Sequence, residues 1–480
     1  MLRLPAIFSV QILLLSCLYA QNDTLLFTPL STYPYPTPFS AYTTRFDQLH
    51  RPYLYTANKE YGVIIFDFSD PKDLKSVRTF SVQQFQNLKP TDLVQQGNYL
   101  YVSLGEFQGL FAQSAGLAVI DISDPENAVI MGQWSDAAFN KGAAAVRVDG
   151  GYAYLGAMEK GLILLDISKP GSPEYISHVE PDLNWPVPPG LFSVPHARGL
   201  ALRGNEVWVC FDAGGLRLVD VSDKQNPVES TKYMNTVLDA VAQPAYNTAA
   251  IVGNYLYAAV DYCGLDVVDI TKPMQPVSAA WVNPWNCTNM SWDGSPGHTN
   301  QVTTARHDSL LFVSGGDTEV LAYSIADPIQ PRRIGQYAQL QDSVVVWGLD
   351  VNDSLVVLAQ VWNPLNTPYI GKKGGITLMR WNSGLTSDSH TLEQAGFSLQ
   401  ILPNPLSDMA KIRFELPAET RVRWQITDAL GWVREKNDLG IQPAGGHSIE
   451  LPLQSIPAGV YFLTFWIDER TFGRLLVKNK

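Results

Sequence analysis

One ten-residue pattern recurs along the chain and restricts its fold more than any other feature. A Gly is followed by four or five apolar residues, an Asp, an apolar residue, a Ser or Thr, and a turn that contains Pro, as in GVIIFDFSDP from Gly62. The Asp or its equivalent recurs after 45 to 56 residues, at Asp67, Asp121, Asp166, Asp220, Asp269, Ser324 and Arg380. Self-similarity at a period near fifty residues is typical of a repeat architecture.

Each of the seven units contains further strand segments around this pattern. Runs such as Tyr99–Val102 and Tyr255–Tyr257 precede it, and each follows a Gly-Asn pair that favours a tight hairpin. A strand lies upstream of each run, another follows the Pro turn, and no helical periodicity is sustained between residues 43 and 385. Four antiparallel strands per unit predict an all-β, seven-bladed β-propeller. Blade 7 lacks an outer strand of its own, and we expect the N-terminal segment 21–42, through Thr24–Phe27, to supply it.

Five copies of the pattern are well kept, for example GLAVIDISDP from Gly116 and GLDVVDITKP from Gly264. They resemble the LVIVD-repeat family of extracellular and surface β-propellers over roughly residues 43–385. The resemblance implies a propeller at the cell surface and no settled chemistry. The Asp that recurs in each unit is interpreted as holding a turn, because a catalytic residue is normally unique and an Asx motif is needed once per blade.

The repeat ends at about residue 385, and a polar linker at 386–396 separates it from the segment that begins at Phe397. Alternating apolar residues and turn signals over residues 397–480 predict a small β-sandwich. This tail resembles the C-terminal sorting domain of type IX secretion cargo in the Bacteroidetes group, through Pro403, Asn404, Pro405, Gly431, Gly459 and Tyr461. The resemblance implies the type IX secretion machinery as a partner and frequent removal of the tail. An immunoglobulin-like module that stays attached is the alternative, and release into the medium and attachment to the surface are both open.

The first twenty residues predict a secretory signal peptide. The apolar stretch Ile7–Leu18 follows Arg3 and ends before the small Ala20, which is too short for a membrane span. Lipidation at Cys17, behind Leu14-Leu15-Ser16, is the alternative. No later apolar run is long enough to cross a membrane, so we expect a secreted or outer-surface protein.

Composition narrows the classes of partner. Charged residues are only 17% of the chain and the net charge is −12, with no basic run, so nucleic acid is not an expected partner. The sequence has no GxSxG, HExxH or phosphate-binding Gly loop, and we predict a monomer without a cofactor. Export permits disulfides, and we hypothesise a Cys263–Cys287 bridge, whereas Cys210 lies in an apolar strand and is expected to be a buried thiol.

Two long loops that break the repeat, Pro181–Pro195 and Asn283–Gly297, mark the candidate binding surface. Each connects the outer strand of one blade to the inner strand of the next, so both emerge at the same end of the ring, which we call the loop face. The candidate aromatic binding residues there are Trp185, Trp285, Trp292, Trp362 and Tyr369. They suit stacking on sugar rings or anchoring of a protein, and the alternative is that they pack their own loops.

His196 and His298 occupy equivalent blade-entry positions on the loop face. Each is either a structural histidine or, with Asp261 or Asp293, an acid–base or metal residue. Two histidines without a spaced third ligand do not make a zinc site, so no metal is predicted. Three hypotheses follow: a non-catalytic module that binds glycan or protein, a secreted hydrolase or lyase, and a structural surface component. The absence of catalytic motifs favours the first.

Overall fold

The computed structural model describes residues 25–105, 113–186, 194–238, 245–284, 297–305, 309–317, 319–339, 342–363, 371–383, 399–402, 409–416, 418–428, 433–454, 456–457, 459–467 and 470–478. Over these residues the protein is built from β-strands, with short 3-10 turns such as Val82–Phe85, Pro125–Asn127 and Asp261–Cys263. Within the same residues no helix has the length and hydropathy that a membrane span requires.

The first five blades each take four consecutive antiparallel strands. Blade 1 is β2 (Ala41–Phe46), β3 (Tyr53–Asn58), β4 (Gly62–Asp67) and β5 (Lys75–Phe80). Blade 2 is β6 (Lys89–Gln96), β7 (Tyr99–Gly105), β8 (Ala115–Asp121) and β9 (Val129–Asp136). Blade 3 is β10 (Ala145–Asp149), β11 (Tyr152–Gly156), β12 (Leu162–Asp166) and β13 (Glu174–Val179). Blade 4 is β14 (Gly199–Arg203), β15 (Glu206–Cys210), β16 (Leu216–Asp220) and β17 (Val228–Tyr233). Blade 5 is β18 (Tyr246–Val252), β19 (Tyr255–Val260), β20 (Gly264–Asp269) and β21 (Val277–Val282).

The last two blades meet at the N-terminal strand. Blade 6 is β22 (Val302–Ala305), β23 (Leu310–Ser314), β24 (Val320–Ser324) and β25 (Arg332–Tyr337). Blade 7 is β26 (Val346–Val351), β27 (Leu355–Gln360), β28 (Gly374–Ser383) and β1 (Leu25–Tyr35), which is the outer strand. β1 runs antiparallel to β28 from Leu25 opposite Ser383 to Tyr35 opposite Gly374. The N-terminal segment therefore stands where the incomplete seventh repeat required a strand, and the all-β, seven-bladed propeller is confirmed.

The hydrophobic core lies between neighbouring blades. One cluster joins Leu117 and Val119 of blade 2 to Val146, Leu155 and Ile163 of blade 3, all of them fully buried. A sheet packed on both faces explains the near-continuous apolar runs of the repeat, since side chains alternate between two buried sides. Each buried aliphatic side chain contributes about 1.5–3 kcal/mol.

The repeated Asp holds a turn in all five blades that keep it. Its carboxylate accepts the backbone N–H of the Ser or Thr two residues later, at 2.7 Å for Asp67 and 2.8 Å for Asp121, Asp166, Asp220 and Asp269. Hydrogen bonds from the same Ser or Thr hold the pKa of the Asp166, Asp220 and Asp269 carboxyls below the ordinary value. The interpretation of these residues as structural is confirmed.

The tail forms two facing sheets, as the alternating sequence predicts. One sheet is β29 (Leu399–Leu402), β30 (Met409–Leu416) and β33 (Gly445–Pro452), in that order. The other is β32 (Val433–Gln442), β31 (Thr420–Asp428), β34 (Gly459–Ile467) and β35 (Arg470–Lys478). Ile412 and Leu451 of the first sheet share a core with Ile426, Leu463 and Phe465 of the second. The two sheets are the predicted β-sandwich.

Two motif residues of the tail are described. Gly459 opens β34, and the Tyr461 hydroxyl donates to the Pro457 carbonyl oxygen at 2.7 Å. The buried Lys478 ammonium donates to the carbonyl oxygens of Leu453 and Ile456, at 2.5 and 2.6 Å. These bonds fix the end of the chain to the turn before β34. The motif residues Pro403, Asn404, Pro405 and Gly431 lie outside the described residues.

Candidate functional site

The structure describes part of the predicted loop-face site. Trp185, Trp362, His196, His298 and Asp261 are described. Trp285, Trp292, Tyr369 and Asp293 lie outside the described residues, so their predicted roles remain untested. Trp362 is half-buried, and its backbone N–H bonds the Ser40 hydroxyl at 3.0 Å.

Trp185 packs on a buried arginine in this structure. The Arg217 side chain, on β16, is fully buried, and its guanidinium carbon lies 4.8 Å from the centre of the Trp185 ring. Arg217 Nη2 donates to the carbonyl oxygens of Asp182 and Trp185, at 3.0 and 2.9 Å, and Nη1 pairs with Glu229 Oε1 at 2.7 Å. Arg217 thus anchors the first part of the loop between blades 3 and 4, and Trp185 contributes to packing that loop.

A buried carboxylate holds the next interblade connection. Asp266, on β20, accepts hydrogen bonds from the hydroxyls of Tyr246 and Tyr233, at 2.8 and 3.2 Å, and from Asn235 Nδ2 at 3.0 Å. The side chain is fully enclosed, and this burial raises the pKa of Asp266 to about 6 although the three hydrogen bonds act in the opposite direction. Asn235 follows β17, so Asp266 anchors the connection from blade 4 to blade 5.

Both anchors, Arg217 and Asp266, leave a signal in the sequence, although neither is among the predicted site residues. Arg217 and Asp266 occupy the third position of the repeat, in GLRLVD and GLDVVD, where the preceding copies have Ile64, Ala118 and Ile163. A charge at a position that is otherwise apolar is buried only where it finds partners. In both blades some of those partners belong to the segment that leaves the preceding blade, namely Asp182 and Trp185 for Arg217 and Asn235 for Asp266.

The two candidate histidines are each paired with carboxylates at different blade junctions. His298 Nε2 lies 2.6 Å from Asp261 Oδ1, and the ring is stacked 5.1 Å from that of Trp347. Its side chain is only 5% exposed. The structure therefore brings together His298 and Asp261, one of the pairs that the acid–base hypothesis requires, in a buried position.

His196 has other partners. Its Nδ1 lies 3.5 Å from Asp212 Oδ2 and its Nε2 lies 3.7 Å from Glu159 Oε1. Arg198 Nε also contacts Asp212 Oδ2, at 3.3 Å. This network spans the connection from blade 3 to blade 4. Over the described part of the chain, no three His, Cys, Asp or Glu side chains form a group that could hold a metal ion.

The two described cysteines differ in their state, one disulfide-bonded and the other free. Cys263 is disulfide-bonded and buried. Its predicted partner Cys287 lies outside the described residues, so that pairing stays a prediction. Cys210 is a free, fully buried thiol, and burial raises its pKa to about 12. A thiol with so high a pKa is chemically inert at neutral pH.

A small cavity lies in the central channel, and all seven blades line it. Its lining residues are Thr43, Arg45, Thr91, Asp92, Ala144, Ala145, Arg147, Arg198, Gly199, Asn247, Thr248, Asn300, Gln301 and Trp347. Most of them lie just before an inner strand or within its first three residues, toward the end of the channel at the loop face. The cavity volume is about 30 Å³, which is room for about two water molecules. We call it the channel cavity.

Hydrogen bonds between successive blades shape the channel cavity. The Thr91 hydroxyl donates to the Ala143 carbonyl oxygen at 2.7 Å, and the Thr248 hydroxyl to that of Asn300 at 2.8 Å. Asn300 Nδ2 donates to the Trp347 carbonyl oxygen at 2.8 Å. These side chains satisfy backbone groups that an inner strand leaves without a sheet partner. They hold the walls of the cavity in place.

Arginines provide the charge of the channel cavity. Asp92 Oδ2 lies 2.8 Å from Arg147 Nη1, and Asp92 Oδ1 lies 3.4 Å from Arg45 Nη2. One carboxylate is therefore shared by two guanidinium groups. This cluster could not be predicted from the sequence, because Arg45, Asp92 and Arg147 come from three blades and only ring closure brings them together.

Comparison with known proteins agrees with this description. The LVIVD repeat model matches residues 90–136, 142–180, 196–235 and 247–283, and the model of the secretion system C-terminal sorting domain matches residues 400–479. No curated protein matches the chain.

The similarity to one solved structure, that of Raptor, supports the fold. Raptor of Chaetomium thermophilum is 12% identical, with a TM-score of 0.52 over 74% of this chain and 29% of that chain. PorZ of Porphyromonas gingivalis, described as a surface component of the type IX secretion system, is 14% identical, with a TM-score of 0.41 over 90% of this chain and 64% of that chain. The chain thus spans less than two thirds of either protein. It contains LVIVD repeats within a β-propeller, and its C-terminal sorting domain indicates export by type IX secretion to the cell surface or the medium.

Proposed function

We propose that this exported propeller is a non-catalytic binding module that recognises a glycan or a protein through its loop face. The observation that carries the proposal is the channel cavity, where polar or aromatic side chains of all seven blades meet at one end of the ring. Binding residues commonly lie where loops and strand ends converge on a rigid scaffold. The buried anchors Arg217 and Asp266 support the same view, because they fix the loops that surround this end.

A secreted hydrolase or lyase is the second candidate. The contact between His298 and Asp261 favours it, since a carboxylate that orients a histidine is a common acid–base pair. The side chain of His298 is 5% exposed and stacks on Trp347, which leaves little of the imidazole for a substrate. His196 is engaged by other carboxylates. These contacts support interblade structural roles over catalysis, and a purely structural surface component is the remaining alternative.

The proposal is tested with the full exported chain and a loop-face variant. Purified protein is applied to a glycan array and to surface proteins of the cells that export it. Variants W285A/W292A and W362A are compared with V228A, whose side chain is 57% exposed on the outer strand of blade 4. We expect a saturable interaction that W285A/W292A weakens at least tenfold, because a buried aromatic anchor contributes about 1–4 kcal/mol to an interface, and that V228A leaves unchanged.

The same protein and its bound ligands also test whether the propeller is an enzyme. Oligosaccharides and peptides that bind are incubated with the wild type and with H298Q, and products are followed by mass spectrometry. We expect the ligand to remain intact in both. Turnover by the wild type that H298Q abolishes, with binding retained, overturns the non-catalytic proposal. The absence of any saturable ligand, together with high abundance at the surface, favours the structural component instead.

A further inference from the structure

We propose that the channel cavity receives a carboxylate group through Arg147, either on a small free acid or at the tip of an Asp or Glu side chain of a protein partner. This inference deepens the proposed function, on which the protein-partner form depends. It rests on the free bonding edge of Arg147, the arginines that line the cavity and the size of the cavity.

The Arg147 side chain donates its hydrogen bonds, over the described residues, through a single nitrogen. Both of its bonds use Nη1, which donates to Asp92 Oδ2 at 2.8 Å and to the Val146 carbonyl oxygen at 2.6 Å. Over the described residues, no protein group bonds its Nε or Nη2. The Nε and Nη2 donors form one planar edge of the guanidinium, which matches the two oxygens of a carboxylate. Arg147 lines the cavity and its side chain is 24% exposed.

The charged residues that line the cavity favour an anion. They are three arginines, Arg45, Arg147 and Arg198, and one carboxylate, Asp92. Asp92 pairs with both Arg45 and Arg147, whereas Asp212 pairs with Arg198 and the buried Asp350 interacts with Arg45 from outside the lining. Arg147 therefore shares its carboxylate partner with a second guanidinium group. Guanidinium groups inside a narrow channel attract an anion, because low-dielectric walls concentrate the field.

The size of the cavity restricts the ligands that it can hold. A cavity of about 30 Å³ holds about two water molecules, and the two oxygens of one carboxylate can replace them. A sugar ring does not fit this volume. An uronic acid has its carboxylate directly on such a ring, whereas Asp and Glu present theirs on a slender chain of one or two methylene groups. The geometry therefore favours a free small acid or an acidic protein side chain over an acidic glycan.

The experiment measures weak binding by saturation-transfer NMR and titration at constant ionic strength. The probes are acetate, N-acetyl-glutamate amide, acetamide and galacturonate, and the protein is the full exported chain. We expect acetate and the glutamate derivative to bind, and acetamide and galacturonate not to bind. The substitution R147K keeps the positive charge beside Asp92 but removes the planar edge, and we expect it to weaken binding about tenfold or more. R147Q removes both the positive charge and the planar edge, and it is the second test variant if it folds.

Matched controls separate this site from general charge effects. R333K makes the same change on the outer strand of blade 6, and it should leave acetate binding unchanged. Equal loss in R333K and R147K, equal binding of galacturonate, or no binding of acetate to the wild type overturns the inference. In each of those cases the loop-face interaction measured with W285A/W292A can still stand. Carboxylate binding that R147K abolishes, without any macromolecular ligand, instead supports the cavity site for a free acid and counts against the proposed function.

Discussion

The guanidinium carbon of Arg217 lies 4.8 Å from the ring centre of Trp185, and the Arg217 side chain is fully buried. A charged side chain from the core of blade 4 therefore holds the start of the loop that leaves blade 3. Burial lowers the pKa of Arg217, while Glu229 opposes that change. Glu229 and the loop carbonyl oxygens stabilise the charge of Arg217, and the position of the loop depends on that charge.

Replacing Arg217 by Met should release this loop. The substitution leaves Glu229 without its partner and removes two bonds to loop carbonyl oxygens. We expect a loss of about 3 kcal/mol in the free energy of unfolding in urea, and greater acrylamide quenching that is absent in R217M/W185F. The control is R203M, which breaks a partly exposed pair with Glu206 in the same blade. Equal losses in R217M and R203M contradict the anchoring role.

The ring-closing strand can be tested with two adjacent leucines. Leu25 is 3% exposed and packs in the core between blades 6 and 7, whereas Leu26 is 52% exposed. We expect L25A to lower the free energy of unfolding by about 2–4 kcal/mol and L26A to change it by less than about 0.5 kcal/mol. Similar values for the two variants, measured by urea unfolding, argue against β1 as an integral strand of blade 7.

The repeat made most of this fold predictable, while the site depends on contacts that no repeat encodes. The strands of the blades follow from local patterns such as GLILLDIS, in which periodicity, turns and the recurring Asp agree. The Arg45–Asp92–Arg147 cluster joins residues far apart in the sequence, so it follows only from the closure of the ring. Trp185 was expected as a loop-face aromatic, but its contact with Arg217 could be anticipated only by treating the charge in GLRLVD as a departure from the pattern.

The cysteines should respond differently to alkylation. We expect native protein not to react with iodoacetamide at Cys210, because burial raises the pKa of that thiol to about 12. Peptide mapping without reduction should join Cys263 to Cys287, and C263S should lower the free energy of unfolding by about 2–4 kcal/mol. A Cys263 peptide linked to any other cysteine, or recovered alkylated without reduction, contradicts the predicted pairing. Labelling of Cys210 in urea is the positive control.

Asp266 should make the propeller more stable as the pH falls toward 4. Its pKa is about 6 in the folded chain against 3.8 for an ordinary Asp, so protonation favours the folded state. The contribution is complete below 3.8 and is lost as the pH rises through 6, a change of about 3 kcal/mol. In D266N the free energy of unfolding, measured in urea between pH 4 and 8, should lose this dependence.

The control for D266N lies on the same strand. Asp269 is solvent-accessible at the turn, and hydrogen bonds from Thr271 lower its pKa, so its contribution has the opposite sign and is present at neutral pH. D269N should therefore keep the gain in stability that Asp266 produces below pH 6. If D266N retains the full dependence, the buried carboxylate is not its source. If D269N loses the gain in stability below pH 6, the turn at Asp269 is the source of that gain, and the Tyr233–Asn235–Tyr246 pocket around Asp266 is not.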